Sequence, residues 1–148
     1  MKFLTVAATS ILAATASAAA ILPRDNVFEV SNFYANCVQH SVMCNYQFSV
    51  LYPATGETIP VNCSATLSSI DGTLPPVTDG DCLLSSRTFD VARNDDGLLL
   101  TVKNPVSPST NITGVYEIPA EQLVVEQSGA SQAEKYVGPK EFGLAYAS

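Results

Sequence analysis

Four cysteines and one histidine are the side chains of this 148-residue chain best suited to metal binding, redox chemistry or nucleophilic catalysis. The cysteines are Cys37, Cys44, Cys63 and Cys82, and His40 lies between the first two. Paired zinc ligands are usually about two to four residues apart, whereas the shortest gap here is seven. The spacing therefore predicts no metal site. An even number of cysteines favours two disulfides in an exported chain, with three pairings left open.

Hydrolytic catalysis would need a general base or a pair of carboxylates. His40 is the only histidine, and its place between two cysteines predicts a solvated loop residue. The closest acid pairs stand near glycines in turn-like segments, where Asp caps the backbone; they are Asp79 with Asp81 and Asp95 with Asp96. Neither pair has the spacing of a calcium loop. The sequence therefore predicts a protein that is not an enzyme and needs no cofactor, with a secreted hydrolase as the weaker alternative.

Two sequons are candidates for N-glycosylation. Asn111-Ile112-Thr113 follows a proline-containing loop and is the better acceptor. Asn62-Cys63-Ser64 also fits, but a disulfide at the neighbouring cysteine would hinder modification.

The aromatic residues mostly alternate with polar ones, which is typical of core packing. An exposed subset would mark a binding face, because tyrosine combines apolar area with a hydroxyl group. The tyrosines that we consider for such a face are Tyr34, Tyr52 and Tyr116.

Residues 1–18 have the features of a secretory signal peptide. Lys2 supplies the positive charge, an uncharged run follows from Phe3 to Ala16, and small residues end at Ala18. A transmembrane helix needs about 20 predominantly apolar residues, and this run is shorter and rich in alanine. We therefore expect a secreted, extracellular protein with one domain over 19–148; cleavage after Ala20 is a second possibility.

The charge balance is acidic, with 7 Lys plus Arg against 14 Asp plus Glu and a net charge of −7. Binding to nucleic acid or to an anionic membrane depends on clustered basic side chains. The composition therefore predicts that neither is a partner, and it favours a basic partner that the negative surface would attract.

Beyond residue 18, apolar residues recur with a period of two, which predicts strands. Over 58–67, one side of the strand would carry Ile59, Val61, Cys63, Ala65 and Leu67. The Asn94-Asp95-Asp96-Gly97 segment predicts a hairpin turn. Loops are expected at 53–56, 71–81, 105–110 and 128–139, and the other strands at 27–34, 45–52, 87–93, 97–103, 112–118, 123–126 and 141–147. Seven or eight short strands predict an all-β fold, a single compact antiparallel β-barrel or sandwich.

Several short motifs occur in an order that resembles the Alternaria major-allergen family, small secreted β-barrel proteins of filamentous fungi. They are a first strand ending in Phe33-Tyr34, the Cys63-Ser64-Ala65 strand, the later Cys82, Gly97-Leu98-Leu99-Leu100 and Gly138-Pro139-Lys140-Glu141-Phe142. The resemblance spans residues 27–142.

The resemblance implies a disulfide between Cys63 and Cys82. The family's second bridge lies in the last third of the chain, where this sequence has no cysteine. Cys37 and Cys44 would then form a different local clamp, and the covalent dimer of the family's type member could not form in the same way.

The resemblance also implies a non-catalytic fungal effector, elicitor or allergen-like protein. Its expected partners are host extracellular proteins, among them thaumatin-like defence proteins. Since the type member is credited with binding flavonoid-like molecules, a carrier of a small aromatic or lipid ligand is the alternative.

Overall fold

The computed structural model describes residues 26–147, and the signal peptide expected at 1–18 lies outside the described residues. Within this range the chain is almost entirely strand, with single 3₁₀ turns at Pro53–Thr55 and Ala120–Gln122. No helix of the described residues is long and apolar enough to cross a membrane. The strands are β1 (Asn26–Cys37), β2 (Met43–Leu51), β3 (Val61–Ser68), β4 (Val77–Cys82), β5 (Thr88–Asn94), β6 (Gly97–Ser107), β7 (Thr110–Pro119), β8 (Leu123–Ser128), β9 (Ser131–Tyr136) and β10 (Phe142–Tyr146).

Eight antiparallel strands close into a barrel. Strands β1 to β7 pair in chain order, and β10 joins β7 on one side and β1 on the other. The pair Phe28↔Leu144 belongs to this last ladder, which distinguishes a barrel from an open sandwich. Cys37 bonds to Cys44 and Cys63 to Cys82. The predicted all-β barrel with two disulfides is therefore confirmed.

The long strand β1 also carries a hairpin outside the barrel. Its first half pairs with β10, and its last residues pair with β9 through Asn36↔Lys135. A register shift between Ser31 and Tyr34 separates the two halves, and Asn32 there has a φ of 54°. Because a bulge bends and twists a strand, β1 can leave the barrel wall to support β9 and β8.

Alternation of side chains along the strands builds the core. In β2, Tyr46, Phe48 and Val50 are buried, as their period of two predicts. The ring of Phe48 lies 5.0 Å from that of Phe89 across the interior. A Cβ at Gly80 would lie 2.5 Å from the Phe89 ring, so glycine lets that ring pack directly against the β4 backbone. Side chains therefore fill the barrel, as expected for eight strands.

The expected loops at 71–81 and 128–139 were wrong in part, because they contain β4 and β9. Strand β4 carries the turn-forming residues Asp79, Gly80 and Asp81. Gly80 and Asp81 pair with neighbouring strands, whereas Asp79 lies at a register shift against β5. Strand β9 is mostly polar, and its buried Glu134 is compensated by Arg93 from β5. A local pattern misses both strands because the residues that explain their composition lie on another strand: Phe89 packs over Gly80, and Arg93 pairs with Glu134.

The predicted strand at 58–67 began too early. Strand β3 starts at Val61, and Ile59 is 79% exposed in the preceding loop rather than on the inner side. Pro60 lacks a backbone N–H to donate to a neighbouring strand, which explains the later start.

We call the two ends of the barrel the mouth and the base. The mouth contains the Asn94–Gly97 turn, the end of β7 and the start of β10, whereas the base contains the Cys63–Cys82 disulfide and the start of β5. Arg87 and Glu57 form a bidentate ion pair at the base, with nitrogen to oxygen distances of 3.0 and 2.9 Å. Arg93 and Glu134 form the corresponding pair at the mouth.

Candidate binding site at the mouth of the barrel

A pocket of about 330 Å³ lies at the mouth, and we call it the Tyr116 pocket. Its apolar lining comes from β6 and β7, and its polar lining comes from the β5–β6 turn and the 3₁₀ turn after β7. The lining residues are Asn94, Asp96, Leu98, Tyr116, Glu117, Ile118, Pro119 and Gln122. The lining therefore includes one tyrosine and two acidic residues. Glu117 follows Tyr116 directly on β7, so its side chain points to the opposite face of that strand, at the rim of the pocket.

Backbone contacts hold the two turns of this pocket together. The N–H of Ala120 donates to the C=O of Asp96 over 2.8 Å. Gly97 has a φ of 139°, and a Cβ there would collide with the carbonyl oxygen of Ile118. Glycine at this position thus allows the close approach of two strands that fixes Asp96 beside the end of β7.

An aromatic cluster connects the pocket with the core. Tyr116 stacks on Phe142 with 3.9 Å between ring centroids and 14° between planes. Phe142 contacts Phe33, which meets the ring of Tyr136 edge-on. Burial, and to a smaller extent the nearby Tyr116 phenol, raises the pKa of Tyr136 to about 12. The Tyr116 ring is therefore held in place by neutral aromatic neighbours.

Gln122 is an unsatisfied polar group in the pocket lining. Its Oε1 atom is buried and accepts no hydrogen bond from the described residues. A Cβ at Gly138 would collide with this oxygen and lie 2.6 Å from the Tyr136 hydroxyl, which shows how closely the β9–β10 loop approaches. This oxygen is buried against the β9–β10 loop, so it lies beneath the pocket surface, and the cost of leaving it without a donor falls on the packing of that loop.

Around the pocket, negative side chains outnumber positive ones among residues 26–147. Most basic side chains there are neutralised by ion pairs; these are Arg87 with Glu57, Arg93 with Glu134, Lys103 with Asp90 and Lys135 with Glu126. By contrast, Asp95, Asp96, Glu117 and Glu121 have no ion pair in this range. Lys140, just before β10, is the other basic residue of this range, so four carboxylates against one lysine leave the mouth of the barrel negative.

A larger groove of about 460 Å³ runs along the outer surface of β1, β2 and β10. Glu29 and Glu141 line it, but Phe142 is its only aromatic residue among those described. None of the buried polar atoms that lack a partner in residues 26–147 lines this groove. The Tyr116 pocket is therefore the better candidate.

The three tyrosines considered from the sequence lie in different places. Tyr116 is partly exposed in the pocket, and Tyr34 is 48% exposed on the outer side of β1, opposite Gln47. Tyr52 is 7% exposed and packs on Phe28 with ring centroids 5.2 Å apart. Tyr52 is therefore a core residue and does not belong to an exposed binding face.

The two sequons also differ in accessibility. Asn111 is exposed at the tip of the β6–β7 hairpin, opposite Pro105. Asn62 is exposed on β3, but its Oδ1 accepts a hydrogen bond from the Ser49 hydroxyl over 2.7 Å, and Cys63 beside it is bridged. This leaves Asn111 as the more accessible acceptor.

The residues considered for catalysis or metal binding are exposed or engaged in turns. His40 Nε2 lies 3.4 Å from the Ser128 hydroxyl at the surface. The Asp79 N–H donates to Asp90, and the Asp96 N–H donates to the Asn94 side chain. In the described range, no group of three or more His, Cys, Asp and Glu residues is arranged to hold a metal ion.

Sequence reasoning identified Tyr116 but missed the groups around it. Asp96 was interpreted only as a turn residue, and Glu117, Gln122 and Phe142 were not selected. The turn signal before β6 does not show that this turn lies beside the end of β7, where the sequence predicts no turn. No protein-family model matches this chain, and no curated protein matches it.

Proposed function

We propose that this chain is a secreted, non-catalytic binding protein whose mouth docks a basic surface of an extracellular host protein. The observation that carries this proposal is the set of unpaired carboxylates around the Tyr116 pocket, in a range where four basic side chains are already ion-paired. A lysine or arginine of a partner would enter the pocket, contact the Tyr116 ring and approach Asp96, while Glu117 adds negative charge on the outer face of β7.

The two disulfides and the sequence of residues 1–18 support the extracellular location in this proposal. The resemblance to the Alternaria major-allergen family supports a fungal effector, elicitor or allergen-like role. On that basis, a thaumatin-like defence protein with a basic surface is the first partner to test.

The test is surface plasmon resonance with a purified basic thaumatin-like protein immobilised on the chip. We expect binding that weakens with salt, and we expect the double variant D96N/E117Q to bind about tenfold more weakly. The single variants D96N and E117Q are each compared with the matched control Asp81→Asn, which also removes one charge, from β4 away from the mouth. Equal loss of binding in the control would contradict docking at the mouth. The wider proposal is tested by a pull-down from plant apoplastic fluid with this protein as bait, and recovery of no bound protein would contradict it.

A small aromatic ligand is the second candidate, favoured by the stack of Tyr116 on Phe142. Since aromatic side chains fill the barrel interior, such a ligand would bind at the mouth. Tyrosine fluorescence and thermal shift with a panel of flavonoids and lipids test this idea, with Tyr116→Leu as the variant that removes the stacking surface. Absence of any response in the panel would leave the basic protein partner as the sole candidate.

A further inference from the structure

Strand β8 is the edge of the sheet in the described part of the chain. The strand order ends at β8, which pairs with β9 alone. Its neighbour β9 is held on the other side by β1 and by the N–H of Glu134, which donates to the C=O of Gly72 over 2.8 Å. The β8–β9 hairpin is therefore anchored mainly through β9. The loop after β1 also contacts β8, since the Gln39 amide donates to the C=O of Glu126 over 2.8 Å, but Glu126 is a residue whose backbone bonds towards β9, so the far side of β8 still faces outward.

The hairpin geometry determines which backbone groups lie on that open side. A two-residue turn, Gly129 and Ala130, joins Ser128 to its partner Ser131. Across a two-residue turn, Ser128 and Ser131 form a hydrogen-bonded pair, so every second residue of β8 from Ser128 bonds to β9. The N–H of Val137 donates to the C=O of Gln122, which shows the same alternation at the start of β8. In an antiparallel ladder, alternate residues bond to the partner strand. Val125 and Gln127 therefore direct their N–H and C=O groups away from β9.

The N–H of Leu123 is already used, because it donates to the C=O of Ala120 in the 3₁₀ turn. The open edge consequently offers the N–H groups of Val125 and Gln127, and the C=O groups of these two residues and of Leu123. These groups have no partner among the described residues. These outward N–H and C=O groups recur at every second residue, which is the spacing that an added strand requires for pairing.

Natural edge strands are usually protected by charged side chains, proline or a covering loop. β8 contains no proline, and its one charge, Glu126, is neutralised by Lys135 of the neighbouring strand. Val124 and Val125 are 39% and 48% exposed and lie on opposite faces of the strand. Both faces of an added strand would thus find an apolar contact.

We propose that β8 binds an extended segment of the basic partner by strand addition, an inference that rests on the proposed function. Gln122, directly before β8, lines the Tyr116 pocket. A segment paired antiparallel with Val125 would pass Gln122 after about 10 Å at the rise of a strand. A lysine or arginine at its C-terminal end would then lie beside Glu117 and Asp96. A second copy of this chain fits less well, since both copies carry a net charge of −7.

The test uses two synthetic peptides and amide hydrogen exchange measured by NMR. One peptide alternates threonine and valine and ends in arginine; the other ends in glutamine and is otherwise identical. We expect exchange at the Val125 and Gln127 amides to slow about tenfold on binding, with little change at Val124 and Glu126, which already bond to β9. We also expect the arginine peptide to bind about fivefold more tightly.

Two variants of Val125 test whether its outward N–H group is needed for peptide binding. Val125→Pro removes an outward N–H and should abolish peptide binding, whereas Val125→Thr keeps the N–H and should retain it. Slow amide hydrogen exchange in β9 of V125P would show that the β8–β9 hairpin still forms in this variant. A peptide methylated on alternate backbone nitrogens should not bind to the wild-type protein.

The outcomes separate this inference from the proposed function. Protection without preference for arginine would support strand addition and count against a basic partner. Binding of arginine peptide with no protection at Val125 and Gln127 would overturn strand addition and leave the basic partner supported. Protection of the same amides without peptide, together with dimers in analytical ultracentrifugation, would overturn the proposed occupant in favour of a second copy.

Discussion

Glu134 of β9 and Arg93 of β5 form a bidentate ion pair that fastens the β3–β4 loop across the mouth of the barrel. The two nitrogen to oxygen distances are 2.7 and 2.8 Å, and the Glu134 side chain is 5% exposed. The same Glu134 oxygen accepts the N–H of Leu74 over 2.8 Å, and Arg93 donates to the Leu74 C=O. Leu74 is fully buried as a result, so two polar side chains position one apolar residue.

Replacing Glu134 should therefore destabilise the fold more than replacing an exposed partner of another ion pair. We expect Glu134→Ala to lower the free energy of unfolding by about 2 to 3 kcal/mol, because the Leu74 N–H loses its buried acceptor. The measurement is urea unfolding. Glu126→Ala, which breaks the exposed pair with Lys135, should cost less than about 1 kcal/mol. Equal costs would show that the loop does not depend on Glu134.

The carboxylate of Asp71, in the same loop, should stabilise the folded state at neutral pH and lose this effect in acid. The hydroxyl and N–H of Thr73, with the Ser69 hydroxyl, lower the pKa of Asp71 to about 2 from 3.8. A carboxyl whose pKa is lower in the folded state stabilises it above the unfolded pKa, and this is lost as pH falls towards 2. The stability difference between wild type and Asp71→Asn should therefore shrink as pH falls from 3.8 to 2. An NMR titration of Asp71 with a midpoint near 3.8 would contradict this.

The two disulfides should contribute unequally. Cys37 and Cys44 are 7 residues apart, whereas Cys63 and Cys82 are 19 apart. In the chain-entropy account, the longer loop gives about 3.3 kcal/mol and the shorter about 2.5 kcal/mol. We expect the double alanine variant of the second bridge to unfold at lower urea concentration than that of the first. The opposite order would mean that the hairpin clamp stabilises by another mechanism.

Gly80 should tolerate no larger side chain while Phe89 is present. A Cβ there would lie 2.5 to 2.9 Å from three atoms of the Phe89 ring. We expect Gly80→Ala to cost about 1 to 3 kcal/mol by overpacking. With Phe89→Leu in the background, the same change should cost less, and a double-mutant cycle of thermal unfolding measures this coupling. Strict additivity of the two changes would contradict the packing argument.

The predictions from sequence were accurate where neighbouring residues decide the structure. Alternation identified β2, β5 and the Asn94–Gly97 hairpin, since each depends on side-chain period or turn chemistry. They failed at β4 and β9, where Gly80 and Glu134 are explained only by Phe89 and Arg93 on β5. Tyr34, Tyr52 and Tyr116 looked equivalent in sequence, and burial separated them.

By itself the sequence determined an acidic, β-rich chain with two disulfides. Charge and cysteine number follow from composition, and the strands follow from the period of two in apolar residues along the chain. The tertiary structure decided the closure of β1 on β10, the grouping of Tyr116 with Asp96, Glu117 and Gln122, and the open edge of β8. These features join residues from distant parts of the chain, and their contacts form only when the whole barrel packs around one core.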